Sequence, residues 1–251
     1  FCAIFAPWLA PYGQSEIVGD VWEPLFGNFF FGTDQIGRDM LSMLIYGARN
    51  MIALALLTTG CAFGLGSLLG FLAATMGGWV DQVLSRFVDV VISIPTLIFA
   101  LIVLSSTGTS IFALVTVIAI IYAMPVYRIA RAVAMDIEVM DYVEAARLRG
   151  EGLWWIMRKE ILPNALTPLA AEFGLRFCFV FLLISGLSFL GLGLQPPLAD
   201  WGAMVRDNGG GIAWGFMHPL VPATCIALLT IGINLIVDSV VQKASGLRED
   251  H

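Results

Sequence analysis

Five long apolar runs, Met51–Met76, Val88–Ser106, Ile111–Ala134, Leu166–Leu194 and Pro219–Val241, constrain this chain more than any other feature. A helix needs about 20 apolar residues to cross the hydrocarbon core of a bilayer, and each run is close to or above that length. Strands of a membrane barrel alternate in polarity and cross in about 10 residues, so continuous runs predict helices, whose backbone groups are satisfied internally. Composition points the same way: hydrophobic residues make up 59% and charged residues 13% of the chain, with a mean hydropathy of +0.87. That is too little charge to coat a soluble domain of this length. The expected class is an all-α integral membrane protein, one transmembrane domain over residues 1–251. Phe1–Ala10 is apolar but too short to cross, with Pro7 within it and Pro11 after it. It reads as the tail of a first transmembrane helix whose beginning is missing from the sequence, making six helices.

Lys and Arg set the expected orientation, because they concentrate on cytoplasmic loops. One set of loops carries nine of them, including Arg86, Arg128, Arg131, Lys243 and Arg248, and the other carries Arg38, Arg49 and Arg206. The first set is read as cytoplasmic, with a cytoplasmic C-terminus and outer loops at about 11–49 and 195–217. Asp81–Arg86 reads as a short polar loop. The net charge of −6 carries no nucleic-acid signature. Cys2, Cys61, Cys178 and Cys225 are scattered and form no C-x-x-C pair, so they read as packed thiols, and no metal site is expected.

Within the first outer loop, Thr33 and Asp34 offer a cap for a short helix. Met40, Leu41, Leu44 and Ile45 fall on one of its faces, which suits a helix lying at the interface. In the first full span, Gly60/Gly64 and Gly66/Gly70 are spaced so that each pair shares a face on which another helix can approach closely. Trp79, Trp201 and Trp214 are placed as interface anchors. His218, beside Pro219, reads as a surface residue at the outer interface.

The longest polar interruption is the cytoplasmic loop at about 135–163. It contains Asp141–Pro163, DYVEAARLRGEGLWWIMRKEILP, and gathers Arg147, Arg149, Arg158 and Lys159. Tyr142–Arg149 predicts a short helix lying across the membrane surface. Glu144, Ala145 and Ala146 offer one carboxylate and two small side chains, so a partner can pack closely. Gly150 permits a left-handed turn, and Pro163 is expected to set where the next span starts.

Glu144–Pro163 resembles the EAA loop of the membrane subunits of bacterial ABC importers. Glu144, Ala145, Ala146, Gly150, Leu162 and Pro163 match that pattern, and Glu160 stands where it has Ile. FGTDQIGRDMLSMLIYGAR, Phe31–Arg49, is similar to the corresponding segment of the dipeptide/oligopeptide/nickel permease family, with Met43 where that pattern has Arg. GLSFLGLGLQPPLADWGAM, Gly186–Met204, resembles the same family's segment after its fifth helix. The resemblance covers about residues 6–241 and is to the "C" type of subunit.

The resemblance implies the six-helix type I importer permease fold in a bacterial inner membrane. It implies a related second permease as heterodimer partner, two cytoplasmic ATPases that bind ATP and Mg, and an extracytoplasmic solute-binding protein. Tyr142, Glu144, Ala145, Ala146, Arg149, Gly150 and Pro163 would form the ATPase-coupling segment. The chain has no G-x-x-x-x-G-K-[ST] phosphate loop, which agrees with a transport subunit that is not itself an enzyme. Di- or oligopeptides are the expected solute, with nickel chelates, glutathione or opine-like compounds as alternatives. A secondary transporter would need acidic relays across the membrane centre, and none is visible.

Two smaller groups stay open between readings. Glu172 and Arg176 are four apart near the cytoplasmic end of a span, as a structural ion pair or with Arg176 contacting a substrate carboxylate. Asp34, Arg38 and Asp39 either contact the binding protein or cap and pair within their own loop. Asp89 and Asp238 read as solvated helix ends.

Overall fold

The computed structural model describes residues 3–244, and the side chains of residues 3–239. Cys2 and Arg248 lie outside the described residues, as does the side chain of Lys243. The regular structure of the described residues is helical, with only two isolated bridges, Ile17 with Arg38 and Thr33 with Asp39. The helices are α1 Ala6–Leu9, α2 Met40–Met76, α3 Gly78–Ser93, α4 Thr96–Thr107, α5 Ile111–Glu138, α6 Asp141–Leu148, α7 Leu153–Ile156, α8 Leu162–Phe189, α9 Trp201–Asn208 and α10 Leu220–Ala244. A π-helical turn, Met157–Ile161, joins α7 to α8, and a 3₁₀ turn, Gly209–Trp214, follows α9.

Among the described residues, four stretches are long and apolar enough to cross a membrane: Met40–Met76, Ile111–Glu138, Leu153–Phe189 and Leu220–Ser239. A fifth forms if α3 and α4 count together, although they meet at 88°. The straight span expected at Val88–Ser106 is therefore corrected. Pro95 forces its predecessor out of the helical region, and Ile94 is extended at φ −85°, ψ 128°. Asp81–Arg86, expected as a loop, lies inside α3.

Three other boundaries move for identifiable reasons. No separate interfacial helix precedes the first span, because Met40–Met76 is one continuous helix of 37 residues. Its start is capped by Asp39, not by Thr33 and Asp34: Asp39 Oδ2 accepts from Ser42 N at 2.8 Å and Ser42 Oγ at 2.6 Å. Pro125 lies inside α5 without ending it. Nor does Pro163 begin the span after the central loop, since helix runs from Leu153 and Pro163 is the second residue of α8. Proline lacks an N–H and crowds the carbonyl four residues back, here Lys159. The widened turn at Met157–Ile161 accommodates that crowding. Asn164 Nδ2 donates to the neighbouring Glu160 carbonyl at 2.6 Å.

The described residues fall into two compact units. One lies within Phe1–Leu57, Ala100–Val115 and Cys178–Ile233, the other within Thr58–Phe99, Thr116–Phe177 and Asn234–His251. In the first, the two segments that carry the permease resemblance pack on each other. Trp201 Nε1 donates to Leu44 O at 2.9 Å, and its ring lies so close to Gly47 that a Cβ there would stand 2.6 Å from it. Asn50 Nδ2 donates to Ala199 O at 3.0 Å. Trp201 is therefore a core residue at 6% exposure, while Trp214, at 76%, keeps the exposure an anchor needs. His218 is fully buried, correcting its surface placement, and its Nε2 lies 2.8 Å from the carbonyl oxygen of Glu23.

In the second unit α2 packs along α5 through Gly66 and Gly70. A Cβ on Gly66 would lie 2.6 Å from Ala123 O, and one on Gly70 would lie 2.8 Å from Tyr127 O and Arg131 N. Of the two glycine pairs read from the sequence, this one makes the close approach. Gly60 and Gly64 face open space.

Candidate functional site

The short helix expected at Tyr142–Arg149 forms as α6, Asp141–Leu148. Asp141 and Glu144 lie in its first turn and Arg147 in its last, each opposing the charge of the helix dipole at that end. Val143 and Ala146 share one face and are fully buried. Tyr142, Glu144, Ala145, Arg147, Leu148 and Arg149 are exposed. Of the three residues expected to meet a partner, Glu144 and Ala145 face outward, whereas Ala146 faces the protein's own core. Apolar side chains three apart are neighbours on a helix, so Val143 and Ala146 present a single face.

The buried face is held by a cluster drawn from several helices. Val143 and Ala146 join Phe71 and Ala74 of α2, Ala134 and Ile137 of α5, Ile156 of α7, Met157 and Ile161 of the π turn, and Ala165 of α8. A shift of α6 therefore meets the ends of three membrane helices through direct side-chain packing. Interiors at crystal-like density transmit such a shift instead of absorbing it.

The end of α6 is latched. Gly150 has φ +82°, a left-handed conformation that costs little without a Cβ. Gly150 N donates to Arg147 O at 2.9 Å, and Glu151 N to Ala146 O at 3.2 Å. This is the double closure of a Schellman motif, and it reverses the chain into α7. Around it, Arg147 pairs with Glu138 at the end of α5, and Arg149 stands over the Trp155 ring at 5.9 Å. Arg147 is thereby committed to the chain's own structure. Pro163 lies beyond the latch, in α8.

The other candidate residues sit elsewhere. Glu172 and Arg176 are paired in α8 with side-chain exposures of 16% and 20%. Asp89 pairs with Arg128 at 2.6 Å, and Asp81 pairs with Arg131. Asp238 is exposed. In the first unit, Asp34 is 1% and Asp39 4% exposed. Asp34 accepts from Ile36 N at 3.0 Å, Arg38 N at 2.8 Å and Arg38 Nε at 2.6 Å, so these carboxylates serve their own loop. Asp200, not singled out in the sequence, caps α9. It accepts from Gly202 N at 2.8 Å, Ala203 N at 3.1 Å and Ser188 Oγ at 2.6 Å. Burial pushes its carboxyl above the ordinary value of 3.8, against the pull of those donors. Among the described residues no cluster of His, Cys, Asp or Glu has the arrangement of a metal site.

Comparison with known proteins places the chain in a family. Residues 66–244 match the family described as binding-protein-dependent transport system inner membrane component. The chain is 36% identical over 246 residues to the di/tripeptide transport system permease protein DppC of Pseudomonas aeruginosa, covering 95% of this chain and 81% of that one. It is 33% identical over 240 residues to the probable D,D-dipeptide transport system permease protein DdpC of Escherichia coli K12, covering 94% and 80%. The glutathione transport system permease protein GsiD of Pectobacterium atrosepticum is 29% identical over 239 residues, covering 94% and 79%. Among solved structures, an inward-facing form of the MetNI methionine ABC transporter superposes with a TM-score of 0.65 at 20% identity, covering 82% of this chain and 97% of that one. The fold is thus that of a type I ABC importer permease, and this multi-pass chain belongs to the binding-protein-dependent transport system inner membrane components.

Proposed function

We propose that this chain forms half of the translocation path of an ATP-driven importer of di- or oligopeptides, and that α6 is its coupling element. The observation that carries the coupling role is the division of faces on α6. Glu144 and Ala145 are exposed to a partner, while Val143 and Ala146 lie in the same core as the ends of α2, α5 and α8. Closure of two ATPases on ATP would displace α6, and the shared core would pass that displacement to the membrane helices. The energetic requirement is ordinary linkage: ATP must favour one transporter state over the other. The peptide reading rests on the names of the relatives at 36% and 33% identity, and the glutathione permease at 29% keeps a modified tripeptide as a second candidate.

In this reading the loop and C-terminus face the cytoplasm. A second, related permease completes the path, an outer binding protein delivers the solute, and ATP and Mg are bound by separate chains. Tyr142, Arg149 and Gly150 complete the docking segment. Glu172 and Arg176 act as a structural pair, because their charges already satisfy each other within α8. Asp34, Arg38 and Asp39 shape the outer loop from within, because Asp34 and Asp39 are buried and Asp34 is paired with Arg38.

The test is purification of the tagged chain from its own membrane, identification of stoichiometric companions by mass spectrometry, and ATP-dependent uptake of a labelled dipeptide by that assembly in proteoliposomes. A second permease, ATPase chains and ATP-dependent uptake are expected. Uptake by the chain alone, without ATP, would overturn the proposal in favour of a secondary transporter.

A further inference from the structure

An apolar groove of about 660 Å³ opens on the surface of the second unit. One wall is α2 from Phe63 to Phe71, and the other runs from Trp154 through Arg158 and Leu166 to Phe173. Trp154, Arg158, Leu162 and Leu166 recur every four residues, so they lie along one side of the continuous helix from Leu153 to Phe189. The α2 wall runs nine residues, from Phe63 to Phe71, or about 12 Å from first to last at 1.5 Å per residue. That approaches the roughly 15 Å depth of one leaflet, half of a core about 30 Å thick. Near one end of this wall stands Gly64, where a Cβ would meet nothing within 4 Å. The groove is therefore open to an occupant and is not closed by the chain's own packing.

Its charge is one-sided. Arg158 is the only charged residue in the lining. Among the described residues neither Arg158 nor the adjacent Lys159 has an ion-pair partner, although Arg128, Arg131, Arg147 and Arg176 all do. Both side chains are exposed, as is Trp154, a residue type that favours the headgroup level. A protein helix laid over this groove would need to bring a carboxylate to Arg158. A phospholipid supplies both halves at once, a phosphodiester for the guanidinium and acyl chains for the apolar walls.

We propose that this groove is a binding site for an anionic glycerophospholipid, with Arg158 holding the headgroup and the α2 and α8 walls holding an acyl chain. The proposal rests on the reading of the chain as a membrane subunit, but not on which side its loop faces. The test is native mass spectrometry of the purified importer assembly in detergent, where no sidedness exists, titrated with phosphatidylglycerol or with phosphatidylethanolamine of the same acyl chains. Phosphatidylglycerol is expected to be retained preferentially. Arg158→Gln should lower that preference about fivefold, the equivalent of ~1 kcal/mol for one basic side chain near an anionic surface. Arg158→Lys should keep most of it, and Gly64→Leu, which fills the groove, should lower retention of both lipids alike. An unchanged preference in Arg158→Gln would overturn the assignment. So would a photoreactive residue at position 166 that, in native membranes, labels a second protein chain instead of lipid.

Discussion

Replacing Gly150 separates backbone geometry from side-chain bulk at the centre of the proposed coupling element. Its φ of +82° lies where an L-residue is penalised, yet a Cβ there would meet nothing within 4 Å. The cost of Gly150→Val is therefore conformational: about 1–2 kcal/mol for the left-handed backbone, with a β-branched residue at the upper end. Relieving that strain means giving up the paired bonds from Gly150 N to Arg147 O and Glu151 N to Ala146 O, each worth ~1 kcal/mol net. Either route removes about 2 kcal/mol from the latched form of α6, roughly a 30-fold shift in its equilibrium with the unlatched form. ATP hydrolysis and dipeptide uptake measured in the same proteoliposomes give the ratio of solute moved to ATP consumed. That ratio should fall by up to about 30-fold in Gly150→Val, by up to about fivefold in Gly150→Ala, and little in Gly150→Asn, because Asn tolerates the left-handed region. Wild-type coupling in the valine variant would refute the reasoning. Equal damage from asparagine and valine would also refute it, because bulk would then matter at a position with open space around it.

Further predictions test the packing on which this account depends. Gly70→Leu should prevent stable folding, since its Cβ would press on backbone atoms of α5 at 2.8 Å; overpacking of this kind costs about 1–3 kcal/mol or more, and protease resistance in membranes should drop while Gly60→Ala stays normal. Val143→Ala should lower the thermal midpoint of the purified assembly by removing fully buried methyl groups, a loss of ~1–2 kcal/mol, with ATPase docking retained because the exposed face is untouched. Asp200 titrates with a raised folded pKa, so the folded state binds the extra proton. Its contribution to stability should be fully present below 3.8 and lost as pH rises through the raised value. Thermal unfolding against pH should show that decline, and Asp200→Asn should flatten it.

Much of the helical plan was legible in the sequence because span length is a coarse signal that survives small errors at either end. The runs at Ile111–Ala134 and Pro219–Val241 became α5 and α10 with their ends moved by a few residues. Proline was the weakest guide. Pro95 marks an 88° bend, Pro125 sits inside a continuous helix, and Pro163 follows a π turn instead of starting a span. The same residue type gave three outcomes because a helix can keep its course when the freed carbonyl finds another donor or a wider turn. At the loop, the short helix and the left-handed Gly150 were readable from local chemistry. The inward face of Ala146 was not, because burial depends on Phe71, Ile137 and Met157 arriving from distant parts of the chain. Asp200 and His218 escaped for the same reason, each being fixed by a contact partner far away or across a turn.

The most direct test of the central claim is site-specific photo-crosslinking from α6 in native membranes. Photoreactive residues placed one at a time at Tyr142, Glu144 and Leu148, on the exposed face, should label an ATPase chain, with the yield changing when ATP is bound. The same residue at Val143, on the buried face, should label this chain alone. If the exposed positions label no ATPase in either nucleotide state, α6 is not the coupling element, and the account fails at its centre.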